Sequence, residues 1–246
     1  MRKFLNEWLQ AIAALASIIG LIVVFIVDQW AALIALCAII IFLSATLWKI
    51  YQVLNSFVAV RYPAGYSSVS TFIRYSTSDG NRLRYEVYKY IQCRQPLMTR
   101  FDYEFKWSGT HPPALASDFQ RVGEITPGDV GGYDKVCLEF PTPLRYNQAA
   151  LIHLAMNLDD ADRKSEPFIS TRVSEPLQLL QWRVELRHTG KGYKKTARVL
   201  KQRLDSKFSP RAVQIGTVPF DPVSKSFEYH ISNPEPGYHY RLEWDR

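Results

Sequence analysis

The residues best suited to chemistry in this sequence are arginines and lysines interleaved with tyrosines. One group lies in a predicted β-hairpin whose turn is Asp79-Gly80. Guanidinium groups bind phosphate through paired hydrogen bonds and aromatic rings stack on bases, so this combination favours a phosphate-bearing ligand. The ligand-binding candidates are Arg74, Arg82, Arg84, Tyr85 and Tyr88 in the hairpin, with Lys194, Lys195 and Arg198 in a second group.

Two other interpretations of these basic residues stay open. Tyrosines are common in β-strands, and lysines and arginines solvate the outer faces of many folds. Basic patches are also attracted to the anionic inner leaflet of a membrane. The chain has 30 Lys+Arg against 23 Asp+Glu, a formal net charge of +7, which fits a phosphate ligand and a lipid surface equally well.

Motifs for catalysis are missing from the sequence. It has no Walker loop, no dinucleotide-binding glycine pattern, no HExxH and no paired CxxC. The five histidines lack metal-ligand spacing, and the acidic run 159–162 lacks the glycine and distal glutamate of a calcium loop. We therefore predict a non-enzymatic protein without catalytic residues, metal or cofactor. A membrane-anchored hydrolase is the least favoured class.

The first 55 residues predict a membrane segment. Trp8 to Val27 and Trp30 to Trp48 are two apolar runs separated by the polar pair Asp28-Gln29. Each run is close to the roughly 20 residues that a helix needs to cross a bilayer. We expect a transmembrane helical hairpin over residues 1–55, with spans at about 8–27 and 30–48. A buried hairpin of a soluble protein is the alternative.

Charge and small residues refine this expectation. Basic residues flank the outer ends of both runs, whereas the turn carries only Asp28, so both termini are expected in the cytoplasm. Small residues spaced by four let helix backbones approach closely in lipid, within the hairpin or between protomers. The residues assigned to this packing are Ala16, Gly20, Ala31 and Ala35.

Residues 56–246 predict a β-rich domain. Arg100–Trp107 alternates between apolar and polar residues, which is typical of a half-buried antiparallel strand. Many short strands with turn residues between them favour an antiparallel β-barrel or β-sandwich. The expected strands are Ser67–Ser76, Arg82–Cys93, Arg100–Trp107, Tyr133–Phe140, Ala150–Asn157, Phe168–Val173, Leu177–Arg187, Arg211–Val218, Lys225–Ile231 and Tyr238–Trp244.

Two segments of this domain have no clear strand pattern. The stretch 108–132 is rich in proline and glycine and is too long for an ordinary hairpin loop, although Ala114–Arg121 has the composition of a short helix. The basic stretch 191–207 fits either a strand or a short helix. Loops of such length are often functional.

A cytosolic N-terminus, a two-span hairpin over 8–48 and a β-rich cytosolic domain together resemble the two-transmembrane, β-strand-rich effectors of bacterial cyclic-oligonucleotide anti-phage signalling. The resemblance implies that the β domain is a small barrel that binds a cyclic dinucleotide, that binding drives oligomerisation, and that the membrane segments then disrupt the bacterial inner membrane. It rests on layout rather than on a motif, so no binding residue is carried over. The stretches 108–132 and 191–207 have no counterpart in that family.

These observations predict a multi-pass membrane effector whose β domain senses a ligand and controls assembly of the hairpins. Its expected partners are the lipid bilayer, further copies of itself and a cyclic oligonucleotide. The alternative is a membrane-tethered β-sandwich adaptor that binds a protein partner.

Overall fold

The computed structural model describes residues 14–15, 17–18, 29–129, 132–190, 193, 195–204 and 212–245. The chain divides into two compact units, residues 1–57 and residues 58–246.

The N-terminal unit contains one long apolar helix, α1 (Gln29–Arg61), of 33 residues. Its stretch Leu33–Arg61 has a mean hydropathy of 2.3 over its most apolar window and is not buried by other residues. At 1.5 Å per residue α1 is about 50 Å long, which exceeds the roughly 30 Å of a bilayer's hydrocarbon core. Arg61 in the last turn favours the helix end because it lies at the negative pole of the helix dipole. By length and composition, α1 can cross a membrane.

The structure describes one helix here and not a hairpin. The expected second span, about 30–48, lies within α1, and the helix continues beyond Trp48 to Arg61. Residues 49–61 are mostly apolar and contain neither glycine nor proline, so nothing in the sequence breaks the helix there. The expected first span, 8–27, lies outside the described residues except for positions 14, 15, 17 and 18, which are helical.

The packing residues assigned to the hairpin are described only in part. Ala16 and Gly20 lie outside the described residues. Ala31 and Ala35 are both in α1, and the Ala35 side chain is half-buried.

The second unit is β-rich, as predicted, and contains thirteen described strands in three sheets. The strands are β1 (Tyr66–Thr77), β2 (Arg82–Cys93), β3 (Leu97–Phe105), β4 (Ala114–Ala116), β5 (Arg121–Thr126), β6 (Asp134–Arg145), β7 (Ala149–Asp159), β8 (Phe168–Val173), β9 (Leu179–Leu186), β10 (Thr196–Arg203), β11 (Val213–Pro219), β12 (Ser226–Ser232) and β13 (Tyr238–Glu243). The sheet orders are β12-β9-β1-β2-β7-β4, β11-β10-β13-β8 and β3-β6-β5.

The six-stranded sheet is built around the predicted hairpin of β1 and β2. Gly80 in its turn has φ of +82°, a conformation that glycine adopts without steric cost. The neighbouring pair β1 and β9 runs parallel, with Arg74 opposite Arg183. The sheet is therefore mixed, although the other described strand pairs of the domain are antiparallel, as expected. The alternation of residues within a strand does not predict which strands pair, and β1 and β9 lie far apart in the sequence.

The two unassigned segments also form strands. Ala114–Arg121 is not a helix: Ala114–Ala116 pairs with β7 as the edge strand β4, and β5 begins at Arg121. Cross-strand bonds to β7 outweigh the weak local preference for helix in these residues. Within the basic stretch 191–207, Thr196–Arg203 is strand β10.

A single hydrophobic core lies among the three sheets. The alternation predicted for Arg100–Trp107 is confirmed, since Phe101 and Phe105 are buried and Asp102 and Glu104 are exposed. Trp182 on β9 and Phe227 on β12 are among the largest fully buried side chains. Burial of each such side chain contributes about 2–3 kcal/mol to folding, so the core fixes the sheets that carry the polar sites.

Candidate ligand-binding site

The alternation of strand β2 separates the predicted ligand-binding residues onto two faces. Arg82, Arg84 and Tyr88 point to one side of the six-stranded sheet, because side chains two apart share a face. Tyr85 points to the opposite side, toward the core and the other sheets. Arg74 on β1 lies opposite Glu86 and shares the face of Arg84. The hairpin residues therefore do not form one site.

Arg74 and Arg84 are held by carboxylates of their own sheet. The Arg74 guanidinium donates from Nε to Glu185 Oε1 at 2.9 Å and from Nη2 to Oε2 at 3.0 Å. Arg84 donates from Nε and Nη2 to Glu86 Oε1, at 2.9 and 2.8 Å. The Glu185 and Glu86 side chains are only 4% and 6% exposed. These arginines neutralise buried charge, which lowers their capacity to bind an external phosphate.

Glu185 is the centre of this charged face. Arg187 donates to Glu185 Oε2 at 2.8 Å, and Arg183 Nε lies 3.0 Å from Oε1. Burial acts to raise the pKa of Glu185, but hydrogen bonds from Arg74 and Arg187 outweigh burial and leave the pKa below its ordinary value. The hydrogen bond to Glu185 in turn raises the pKa of Arg74. Both partners are thus charged over the physiological pH range.

Arg82 differs from the other arginines on this face. It lines an open cleft of about 780 Å³ together with Arg84, Arg187 and Asp159. In the described part of the chain its guanidinium has no ion pair within 4.0 Å. The cleft has carboxylates as well as guanidinium groups, so its charge is mixed.

Tyr88 packs within the sheet surface. Its ring stacks on His153 with centroids 4.6 Å apart and planes 20° from parallel. His153 is fully buried beneath the segment that follows β4, and its Nδ1 accepts a hydrogen bond from the Asp118 backbone N–H at 3.0 Å. The face of Tyr88 that contacts His153 is therefore occupied.

The second basic group lies on strand β10 of the four-stranded sheet and in the residues that precede this strand. Arg198 on β10 donates to Glu243 Oε2 at 3.2 Å. Lys195 Nζ lies 5.9 Å from the centroid of the Tyr193 ring. Lys194 lies outside the described residues. The described members of this group do not line either of the two described cavities.

The better-formed cavity lies between the sheets. We call it the inter-sheet cavity: it measures about 680 Å³ and is bounded by β1, β2, β3 and β8, with contributions from β6, β7 and β13. Its volume is in the range of small-molecule sites. Its aromatic and charged lining comprises Tyr66, Tyr75, Tyr85, Lys89, Phe101, Tyr103, Trp107, Arg172 and Glu175, among others.

Lys89 is the distinctive group of the inter-sheet cavity. Its Nζ donates to the Tyr66 hydroxyl at 3.1 Å and lies 4.8 Å from the centroid of the Tyr66 ring and 5.4 Å from that of Phe101. Desolvation lowers the pKa of Lys89 to about 8, although the charge of Glu175 acts in the opposite direction. Below that pH the amine is a cation among aromatic rings, an arrangement suited to binding an anion.

Phenol groups supply further hydrogen-bonding capacity. The hydroxyl groups of Tyr85 and Tyr103 are hydrogen-bonded to each other. Burial raises the pKa of Tyr103 to about 12 and the pKa of Tyr85 well above its ordinary value. Both phenols therefore stay protonated. Burial also raises the pKa of Glu175, whose carboxylate accepts a hydrogen bond from the Ala64 backbone. The cavity thus combines aromatic walls and neutral hydroxyls with the Lys89 amine, the Glu175 carboxyl group and further basic and acidic side chains.

Sequence reasoning assigned only Tyr85 of this cavity to the ligand. The signal that marks Lys89 is present in the sequence: positions 83, 85, 87, 91 and 93 form the core-facing side of β2 and are apolar or aromatic. Lys89 is the charged member of that series. A lysine at a core-facing strand position requires either a partner or a cavity.

The acidic run 159–162 is engaged in local contacts. Asp160 is fully buried and accepts from the Ser165 backbone and hydroxyl at 2.8 and 2.6 Å. Asp162 accepts from the Thr110 hydroxyl at 2.6 Å, which fastens the 108–132 segment to the β7–β8 connection. The described residues contain no group of three or more side chains that could hold a metal ion.

Neither a protein-family model nor a curated protein matches this chain. Among solved structures it is similar to an M1 zinc metallopeptidase from Deinococcus radiodurans, with 11% identity over 73% of this chain and 42% of that chain and a TM-score of 0.38. It is also similar to baculovirus P35, with 9% identity, 75% and 99% coverage and a TM-score of 0.36. The chain spans less than half the length of the metallopeptidase chain. Likenesses this distant carry no functional argument.

Proposed function

We propose that this protein is a membrane-anchored ligand sensor whose β domain binds a small anionic, aromatic ligand in the inter-sheet cavity. The observation that carries this proposal is the position of the Lys89 amine, which is hydrogen-bonded to Tyr66 and lies beside the Tyr66 and Phe101 rings in a cavity of about 680 Å³. An amine binds an anionic group, and aromatic rings stack on a planar one.

The ligand class that we propose is a cyclic oligonucleotide. A nucleotide offers both kinds of group, because its phosphate pairs with a cation and its base stacks on an aromatic ring. In this site Lys89 binds the phosphate, while Tyr66, Phe101 or Trp107 carries the base.

The output that we propose is disruption of the bacterial inner membrane. The apolar helix α1, with the preceding apolar run, anchors the chain, and ligand binding drives assembly of several copies. Full-length protein is then harmless until the activating nucleotide is present. This is the function of an anti-phage effector, and its topology places both termini in the cytoplasm.

Calorimetry on the full-length chain in detergent, with a panel of cyclic di- and trinucleotides, tests the sensor. A saturable heat with one member of the panel supports it, whereas no heat with any member refutes nucleotide sensing. Dye entry into cells that express the protein with and without that nucleotide tests the output. A reporter fused to the C-terminus checks the topology, because a signal confined to the periplasm contradicts it.

The second candidate function is a tethered adaptor that binds a protein partner. It is supported by β11, the outer strand of the four-stranded sheet, on which Val213 and Ile215 are 63% and 40% exposed. An exposed apolar edge strand is a surface to which another chain can add a strand. Crosslinking in cells distinguishes the two candidates: a partner that is lost with Val213→Lys and Ile215→Lys, together with a negative nucleotide panel, favours the adaptor.

A further inference from the structure

Lys89 differs in its surroundings from the three described lysines that form ion pairs with carboxylates. Lys135, Lys164 and Lys201 each lie within 3.3 Å of a carboxylate. Lys89 has a phenol as its hydrogen-bond partner, and no described carboxylate lies within 4.0 Å of its Nζ. Its strand neighbours on the core side, Val87 and Ile91, are fully buried. The amine therefore has a cavity in front of it and apolar residues on either side.

These surroundings favour the neutral amine. Desolvation lowers the Lys89 pKa from 10.5 to about 8. At pH 7 roughly one tenth of such an amine is unprotonated, against fewer than about one in a thousand for an exposed lysine. The neutral form is the nucleophile, and a desolvated lysine in an apolar pocket is the usual form of an amine that reacts with carbonyl compounds.

We propose that Lys89 is a covalent modification site, at which its amine condenses reversibly with an aromatic aldehyde that enters the inter-sheet cavity. The nitrogen lone pair attacks the carbonyl carbon, and the carbonyl oxygen takes up a proton to give a carbinolamine. The nitrogen loses one proton, the hydroxyl leaves as water after protonation to give an iminium ion, and the iminium loses its remaining N–H proton to give the imine. No oxidant or reductant is consumed.

Tyr66 and Phe101 give this site its selectivity. The Tyr66 hydroxyl, 3.1 Å from Nζ, is placed to pass the proton that leaves with the hydroxyl group. The Tyr66 and Phe101 rings lie 5.2 Å apart, centroid to centroid, beside the amine, and favour an aldehyde with a flat apolar body. The reaction goes beyond the proposed sensor, because it uses the neutral form of the Lys89 amine, whereas the sensor uses the cation in the same cavity.

Reductive trapping tests the proposal on the full-length chain in detergent at pH 7. 4-Formylbenzoate is added with sodium cyanoborohydride, which converts the imine to a stable secondary amine, and the modified lysines are identified by peptide mass mapping. The lowered pKa gives Lys89 a larger fraction of neutral amine, but it also makes that amine a weaker nucleophile. The first effect is the larger, and we expect Lys89 to be labelled about tenfold faster than Lys164 or Lys225. Lys89→Arg removes the fast adduct, and Tyr66→Phe slows its formation.

Labelling of Lys89 no faster than that of Lys164 overturns the proposal, as does an unchanged fast adduct in Lys89→Arg. The sensor is tested separately. Nucleotide binding with an unreactive Lys89 rejects the modification site alone, whereas a reactive Lys89 with no nucleotide binding rejects the nucleotide sensor alone. Protection of Lys89 by a bound nucleotide supports both.

Discussion

Arg74 and Glu185 form a bidentate ion pair across the one parallel strand pair described in the six-stranded sheet, with both N–O distances at or below 3.0 Å. The two residues are 111 positions apart in the sequence. Arg183 and Arg187 flank the same carboxylate, so Glu185 ties the hairpin to β9 and its C-terminal extension. A buried carboxylate with several guanidinium partners makes the register of this pair specific, since a slip of one residue would leave charges unpaired.

The first prediction concerns the stability provided by this carboxylate. Glu185→Gln keeps the shape but removes the charge that neutralises the arginines, and we expect it to lower the free energy of unfolding by about 2–3 kcal/mol. Glu228→Gln is the matched control, because Glu228 pairs with Arg183 at 3.3 Å but is 49% exposed, and we expect a loss below about 0.5 kcal/mol. Urea unfolding measures both, and equal losses would contradict the central role of Glu185.

The second prediction follows from the lowered pKa of Glu185. The unfolded chain takes up a proton at this residue at a higher pH than the folded chain does. The stabilisation is therefore fully present above the ordinary glutamate pKa and is lost as the pH falls through the lower, folded value. Unfolding free energies measured from pH 7 to pH 3 should show a steeper decline in the native protein than in Glu185→Gln. Parallel pH profiles would refute the assignment.

The alternation of apolar and polar residues predicted most of the strands, because it marks segments that have one buried face and one exposed face. Strands β2 and β8 have the bounds expected from the sequence, and residues 101–105 alternate as predicted. Strand β4 is too short for any alternation to be recognised, and it is held by pairing with β7. The parallel pair β1–β9 depends on contacts between distant residues. Helix α1 is longer than expected. Residues 49–61 contain neither glycine nor proline, so the helix continues past Trp48 and ends at Arg61.

The site was less predictable, for a reason that is visible in β2. Composition grouped Arg84 and Tyr85 as neighbours, but adjacent strand residues face opposite sides of a sheet. Composition also cannot reveal that Arg84 has a buried carboxylate partner two residues away. Lys89 was distinguishable only by its position within the apolar series. The cavity in front of it depends on β3 and β8, which contribute from other sheets.

The third prediction concerns the segment that follows β4. Gln120 is buried, donates from Nε2 to the Leu151 carbonyl at 2.8 Å and accepts from the His153 backbone N–H at 3.0 Å. Gln120→Ala removes both bonds, so we expect a loss of about 1–3 kcal/mol and release of this segment from β7. Trypsin cleavage after the exposed Arg121 should become faster. Gln92→Ala, which affects a bond to Asn147 at an exposed site, serves as control and should leave that cleavage unchanged.

The fourth prediction concerns the pH dependence of ligand binding. If an anion is bound by the Lys89 ammonium group, its affinity should be high below pH 8 and should fall as the pH rises through about 8, where the amine loses its charge. Lys89→Arg keeps the cation over the whole range, so any affinity it retains should be independent of pH between 7 and 9. Calorimetry at three pH values measures this. A native affinity that does not change with pH would exclude Lys89 as the anion contact.

The fifth prediction decides between the two faces of the β1–β2 hairpin. Lys89→Met replaces the amine by an apolar group of similar length, and it should weaken binding of the anionic ligand by about tenfold or more, because a charge-assisted hydrogen bond is lost. Arg82→Glu reverses a charge in the open cleft on the opposite face, and it should leave affinity within about twofold, because Arg82 does not line the inter-sheet cavity and Leu158, which lines both, is apolar. For each variant, the free energy of unfolding is first shown to lie within about 1 kcal/mol of the native value, which is the typical change for a point mutation. The opposite result, with Arg82→Glu abolishing binding and Lys89→Met preserving it, would move the ligand to the arginine cleft and reject the inter-sheet cavity as the site.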